Sequence, residues 1–275
     1  MPLVTQDSLC PLILSLGARR CSQDGPVLLM YHSVTPGSAV PSNRWAVSHR
    51  QFREQMRLLK KGGWHTACVR DLEHPERLPR RSVLITFDDG FADNFEQALP
   101  VLLENGQVAT WFVVSGNLGR ASSWHDPGAP SRMMLSAPQL REMDRLGMEI
   151  GAHTRNHPRL PSLSAYELTD EVAGSRRDLE TLLGCPVTSF AYPFGLWDER
   201  CLQAVRQAGF RAACSTSTGR LGDELDPLKL RRVAVFAHDT LSSWSRKLFL
   251  ADTDVRWEKV ARRGAALLAQ TLAGA

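Results

Sequence analysis

The chain has 275 residues, 43% of them hydrophobic and 23% charged, with a formal net charge of +4. That length and apolar fraction suit one α/β catalytic domain around a buried core, and no window reaches the roughly 18 uninterrupted apolar residues a membrane span needs. The arginine pairs at 19–20, 80–81, 176–177, 231–232 and 262–263 are dispersed, which argues against the continuous basic stripe of a nucleic-acid binder.

Residues 1–22 read as an extension ahead of a domain spanning 23–275. In that extension the apolar stretch from Cys10 to Ala18 is broken by Pro11, preceded by Asp7 and followed, not led, by Arg19 and Arg20. This order is unlike a secretory signal, so a cytoplasmic chain is expected. Cys10, Cys21, Cys68, Cys185, Cys201 and Cys214 contain no C-x-x-C pair, so reduced thiols are expected in place of a zinc knuckle or disulfide framework.

Strand-length apolar runs then alternate with helical spacings. Residues 27–31 read as a strand, and Phe52, Met56 and Leu59 as one face of a helix. The strand 83–87 precedes a helix through Phe95, Leu99 and Leu102; the strand 110–114 precedes one through Leu140, Met143 and Leu146. The strand 148–152 is followed by a helix through Leu168, Val172, Leu179 and Leu182, and the strand 187–192 by one through Leu202 and Val205. Strands at 210–215 and 233–236 come next, and a C-terminal helix covers about 253–272, with docking on the domain its expected fate and a membrane surface the other option. Ser164 with Glu167 and Ser136 with Gln139 fit capping boxes, Asp198 fits an N-cap, and Gly184 and Gly209 fit left-handed helix ends. Such alternation predicts a mainly parallel sheet with right-handed crossovers, closed or open. Residues 33–44, 116–132 and 219–228 are irregular, and the second, with Trp124 and His125, reads as a lid or rim.

Three segments fall at the ends of predicted strands: Asp88-Asp89-Gly90, His153-x-x-x-His157 and Tyr192-Pro193-Phe194-Gly195. In parallel α/β folds the C-terminal strand ends are where ligands and catalysis gather. Two imidazoles and one carboxylate are the ligands of an ion that keeps a position open for water, and the remaining carboxylate suits a base. The spacing of four predicts both histidine rings on one side of a helical turn, with Pro158 ending its regularity.

With these segments in place the sequence resembles the polysaccharide deacetylases of the NodB-homology group, carbohydrate esterase family 4, over about residues 26–236. The likeness rests on Leu29-Met30-Tyr31-His32-Ser33-Val34, the Phe52 to Trp64 helix with its Gly-Gly-Trp end, the Asp-Asp-Gly turn, Ala109-Thr110-Trp111-Phe112-Val113, Gly147 to His153, and Phe190 to Gly195. The resemblance implies a distorted (β/α)7-type barrel that removes acetyl groups from sugars with one divalent metal. It assigns Asp89, His153 and His157 as ligands, Asp88 as the base and the Phe194 N–H as an oxyanion donor. In the permuted biofilm-polysaccharide branch the acid lies early, in a Tyr-His pair like Tyr31-His32, so His32 is the expected acid; His238 is the fallback. The third motif lacks the arginine that many members pair with the base, and Arg231 or Arg232 is expected to fill that role. Zn²⁺ is the expected ion, with Co²⁺, Ni²⁺, Fe²⁺ or Mn²⁺ fitting similar sites. Tyr192, Trp124 and Trp197 are expected to meet the sugar.

The expected partner is an N-acetylated sugar, polymeric, lipid-linked or activated, with no nucleic acid. Two other readings stand beside this one. The same metal site suits deformylation or another amide hydrolysis on an aminosugar, and the missing motif arginine suits a sugar-binding barrel without turnover.

Overall fold

A computed structural model of the chain describes residues 25–124, 131–222 and 226–273, with side chains described to residue 266. The expectations for residues 1–22, including Cys10 and Cys21, and for His125 lie outside the described residues. The core is a curled parallel sheet, a single α/β unit of the (β/α)7 barrel type. Its strands are β1 (Val27–Tyr31), β4 (His65–Ala67), β5 (Ser82–Phe87), β6 (Thr110–Val113), β7 (Glu149–Ala152), β8 (Ser189–Ala191), β9 (Ala212–Cys214) and β10 (Val233–Ala234). They run in the order β10-β1-β5-β6-β7-β8-β9, with β4 beside the first half of β5. Two short strands that lack a periodic signal, β2 (Ser33–Thr35) and β3 (Ala46–Ser48), pair with each other in parallel.

All residues of β1 and β5 are buried, as befits parallel strands covered on both faces. Side chains alternate between those faces. Val27, Leu29, Tyr31, Ile85, Phe87, Trp111 and Val113 join the core under the helices, whereas Leu28, Leu84, Phe112, Ala191 and Cys214 fill the inside of the curl. Between β9 and β10 the edges meet through a bridge of Cys214 with Leu230, where Ser215 N–H donates to the Leu230 carbonyl at 2.8 Å.

The helices are α1 (His49–Lys61), α2 (Leu99–Asn105), α3 (Ala137–Arg145), α4 (Ala165–Leu183), α5 (Glu199–Gln207), α6 (Leu241–Leu250) and α7 (Trp257–Ala273). Local chemistry accounts for their ends. Ser164 caps α4 with Glu167 reciprocating, the Asp198 side chain accepts from the Cys201 N–H, and Gly184 and Gly209 are left-handed at φ 72 and 86. The helix expected through Phe95 and Leu99 begins as a π turn, Asn94–Ala98, before α2. Helix α6 has no counterpart among the predicted elements; it buries Trp244 and Leu248 and is capped by Thr240. No helix among the described residues is long and apolar enough to cross a membrane, and Cys68, Cys185, Cys201 and Cys214 are free thiols.

Candidate active site

Alternation along β5 carries Leu84, Thr86 and then Asp88 to the inside of the curl, and the Asp88 N–H donates to the Tyr31 carbonyl at 2.9 Å. The chain next turns through two left-handed residues, Asp89 (φ 73) and Gly90 (φ 85). A Cβ at residue 90 would lie 3.0 Å from Val113 Cγ1, so only glycine lets the turn pack on β6.

His153 follows β7 on the same inner face. Its Nδ1 lies 2.8 Å from the Ala191 carbonyl, a contact that requires the proton on Nδ1 and leaves Nε2 with a free lone pair. The helical turn expected from His153 to His157 is corrected: the segment is a loop, with Thr154 at φ 66 and His157 at φ 59. Carboxylates of α4 hold that loop from outside. Glu171 accepts from the N–H groups of Arg155 and Asn156 at 2.9 Å each, and Arg155 pairs with Asp178 at 2.8 Å and Asp170 at 2.7 Å. Those external anchors replace the i to i+4 ladder that a helix would have supplied.

His153 Nε2 and His157 Nε2 lie 3.5 and 3.4 Å from Asp89 Oδ1. Ligand atoms about 2.0–2.1 Å from a tetrahedral ion sit roughly 3.3–3.4 Å apart. The three side chains are buried, and their donor set and spacing fit one divalent ion. Of the five non-glycine residues with positive φ among those described, Asp89, Thr154, His157 and Phe194 are here, so the backbone strain of the fold is concentrated at this cluster.

Arg232 lies beneath Asp88. Its two terminal nitrogens reach the two carboxylate oxygens at 2.6 and 2.7 Å, and its Nε donates to the Ser215 carbonyl at 2.9 Å. Of the two arginines expected near Asp88, Arg232 is the one that pairs with it; Arg231 turns away, with a guanidinium nitrogen 3.5 Å from the Thr218 carbonyl. Parity explains the choice: Val233 and Val235 face the helices, so Arg232 faces inward and Arg231 outward. Burial opposes ionisation of Asp88, yet the charge and hydrogen bonds of Arg232 prevail and hold its pKa below the usual carboxylate range. For Asp89, burial likewise raises the pKa, but the two adjacent imidazoles, His153 and His157, outweigh it and the carboxyl is held well below the usual range.

His32, half-buried at the end of β1, stacks on Trp45 with ring centroids 4.7 Å apart. The Asn94 amide donates to the His32 carbonyl at 2.8 Å, and the preceding Tyr31 is fixed by Gln55 and Trp244, each at 2.9 Å. Burial lowers the His32 pKa, and the opposing fields of Asp89 and Asp88 do not restore it. His238 is exposed and stacks on Phe236, itself against Trp45, so two rings separate it from His32.

Phe194 is left-handed (φ 59, ψ 6) in the turn after β8, and its ring packs 4.5 Å from that of His157. Trp124 lies 4.5 Å from the same imidazole. Tyr192 departs from the expected sugar contact. Tyr192 is completely buried and donates to the Leu228 carbonyl at 3.0 Å, because alternation along β8 places it with Phe190 under the helices. Trp197 packs against that core beneath the Lys229 ammonium. Sequence reasoning missed Trp45 and the α4 carboxylates, which carry no motif signal, and Asp93, which sits four residues past Asp89 and bonds the Ser33 hydroxyl.

Fold and site together define an α/β barrel with one acid–imidazole cluster and a buried, arginine-paired second acid at its C-terminal strand ends. Residues 76–213 match the polysaccharide deacetylase family, and the chain belongs to it. YxkH of Bacillus subtilis, whose name assigns it to the same family, is 28% identical over 212 residues, 76% of this chain and 70% of that one. The poly-β-1,6-N-acetyl-D-glucosamine N-deacetylase of Staphylococcus aureus is 26% identical over 179 residues, 61% of this chain and 60% of that protein. The solved structure of the Streptococcus pyogenes deacetylase PplD in complex with acetate superposes with a TM-score of 0.69 at 25% identity, covering 81% of this chain and 97% of that one.

Proposed function

We propose that this chain hydrolyses the N-acetyl group of an acetamido sugar within a glycan, using one divalent ion held by Asp89, His153 and His157. The observation that carries the reading is the convergence of both Nε2 atoms on Asp89 Oδ1 beside a carboxylate already held by Arg232. Zn²⁺ is the ion this donor set favours. When bound, it supplies a Lewis acid and an acidified water.

The protein groups do the rest. Asp88 accepts the water proton; Arg232 occupies one lone pair on each of its oxygens, which leaves the others free and fixes the carboxylate plane. The Phe194 N–H donates to the carbonyl oxygen as negative charge grows there. His32 gives its proton to the departing nitrogen. Trp124, packed against His157, offers a ring edge to the sugar.

The family and the named activity of the S. aureus relative support a glycan that contains N-acetylglucosamine over an activated monosaccharide. The Arg232 pair speaks against a barrel without turnover, since a cation is held against Asp88. The test is acetate release from N-acetylglucosamine oligomers by zinc-loaded protein, with formate release from N-formyl analogues as comparison. Asp88→Asn is expected to keep its zinc and lose at least about 10²-fold in kcat. Undiminished turnover in that variant overturns the proposal.

A further inference from the structure

Two guanidinium groups with no carboxylate partner among the described residues flank the site, each reached through one aromatic ring. On the acid's side, exposed Arg44 lies 4.8 Å over Trp45 and 4.7 Å over Phe236, and Trp45 stacks on His32. On the other side, exposed Arg159 lies 4.8 Å over Phe194, which packs on His157. Among the described residues no carboxylate pairs with either. Neighbouring cations on aromatic rings differ in this respect: Arg132, over Phe91, has Asp93 at 3.9 Å, and Lys229, over Trp197, has Asp226 at 3.8 Å. The two unbalanced charges are therefore those that reach His32 and His157 through a single ring.

An arginine lying on an aromatic face is held in plane with its N–H donors pointing sideways, ready for a bidentate carboxylate. Building on the deacetylase reading, we infer that the cleft selects a glycan whose sugars on both sides of the reacting acetamido unit carry carboxylates, such as hexuronates. Separation matters here. A nucleotide-activated sugar concentrates its phosphates at one end and meets one guanidinium, whereas a chain with charges at intervals meets both. Product chemistry points the same way. Each turnover on a neutral homopolymer leaves an ammonium that Arg44 and Arg159 repel, while a carboxylate-bearing chain compensates for it.

The experiment compares three probes at matched acetamido content: neutral N-acetylglucosamine tetramers, tetramers alternating N-acetylglucosamine with glucuronate, and UDP-N-acetylglucosamine. Acetate release by the zinc-loaded chain is read alongside calorimetric binding to Asp88→Asn protein. The alternating tetramer is expected to have a roughly fivefold to tenfold lower KM than the neutral one, and 0.5 M salt is expected to abolish that advantage, as screening of exposed pairs requires. In Arg44→Gln/Arg159→Gln protein the ratio of the two KM values is expected to approach one, and Arg44→Lys/Arg159→Lys to restore part of it. Equal KM values in the wild type, a preference that survives salt or the double replacement, or a preference for UDP-N-acetylglucosamine overturns the inference. Salt-sensitive, arginine-dependent binding of the alternating tetramer without acetate release upholds charge selection while refuting the proposed chemistry.

Discussion

Asp93 shows how one residue near the site sets a pH dependence of its own. Burial pushes its pKa up to about 6 in spite of the Ser33 hydroxyl and Arg132. The folded chain therefore holds a proton that the unfolded chain releases at lower pH. What this group contributes to stability is complete below the ordinary carboxylate range and is lost as pH rises through about 6. Asp93→Asn, which keeps a partner for Ser33, is expected to stabilise the protein by about 1–2 kcal/mol more at about pH 7.5 than at about pH 4.5, after discounting partial exposure. Denaturant titrations at the two pH values check this, and an unchanged difference would show that Asp93 ionises as easily folded as unfolded. Tyr192 teaches the same scale of lesson. Proximity in sequence to Pro193 and Phe194 suggested a sugar contact, but alternation along β8 decided its direction.

At the scale of elements, the His153–His157 loop depends on α4. Arg155 fills the gap between them, and a Cβ on Gly174 would come within 2.5 Å of the Arg155 Nε, so the helix is notched to admit the guanidinium. Arg155 is partly exposed and its pairs with Asp170 and Asp178 add little to global stability. Their effect is on geometry. Arg155→Met is expected to weaken zinc binding by about 10- to 100-fold through looser placement of the two histidines, with a melting temperature close to that of the parent. Competition with a chromogenic chelator measures the first and calorimetry the second. An unaltered zinc affinity would show that backbone hydrogen bonds to Glu171 hold the loop alone. The left-handed Gly195 gives a complementary constraint: its Cβ would meet Thr216 Oγ1 at 2.0 Å, so Gly195→Ala is expected to displace Phe194 and slow turnover more than it alters zinc binding.

For the whole molecule, Arg232 links the chemistry to closure of the sheet. It joins β9 to the start of β10 through the Ser215 carbonyl, stacks over Phe112 inside the curl, and neutralises Asp88, all while completely buried. Removing one partner of a buried ion pair leaves an uncompensated charge and costs about 3–5 kcal/mol. Arg232→Met is thus expected to lower the melting temperature by roughly 10 °C. Adding Asp88→Asn should recover much of that loss without restoring activity. If the single and double variants melt together, Arg232 acts on closure alone and not on the charge of Asp88.

Much of this was legible in the order of residues. The apolar runs from 27–31 to 233–236 located seven of the eight strands of the main sheet, because fully buried parallel strands are nearly continuous in hydrophobic character; the three-residue β4 carries no such run. Asp88 and His153 stood out because each directly follows such a run, with Asp89 beside the one and His157 four residues past the other, and a parallel sheet places all its C-terminal ends together. The inward direction of Arg232 and the outward direction of Tyr192 were also implicit in the alternation of their strands. Only the tertiary structure decided the rest. The His153–His157 loop takes its shape from carboxylates 15 to 23 residues away on α4, α6 covers β1 through a Trp244–Tyr31 hydrogen bond, and Trp45 reaches His32 from an irregular segment. These contacts join residues distant in the chain with no shared periodicity, so no local pattern encodes them, and their geometry exists only once the sheet has curled.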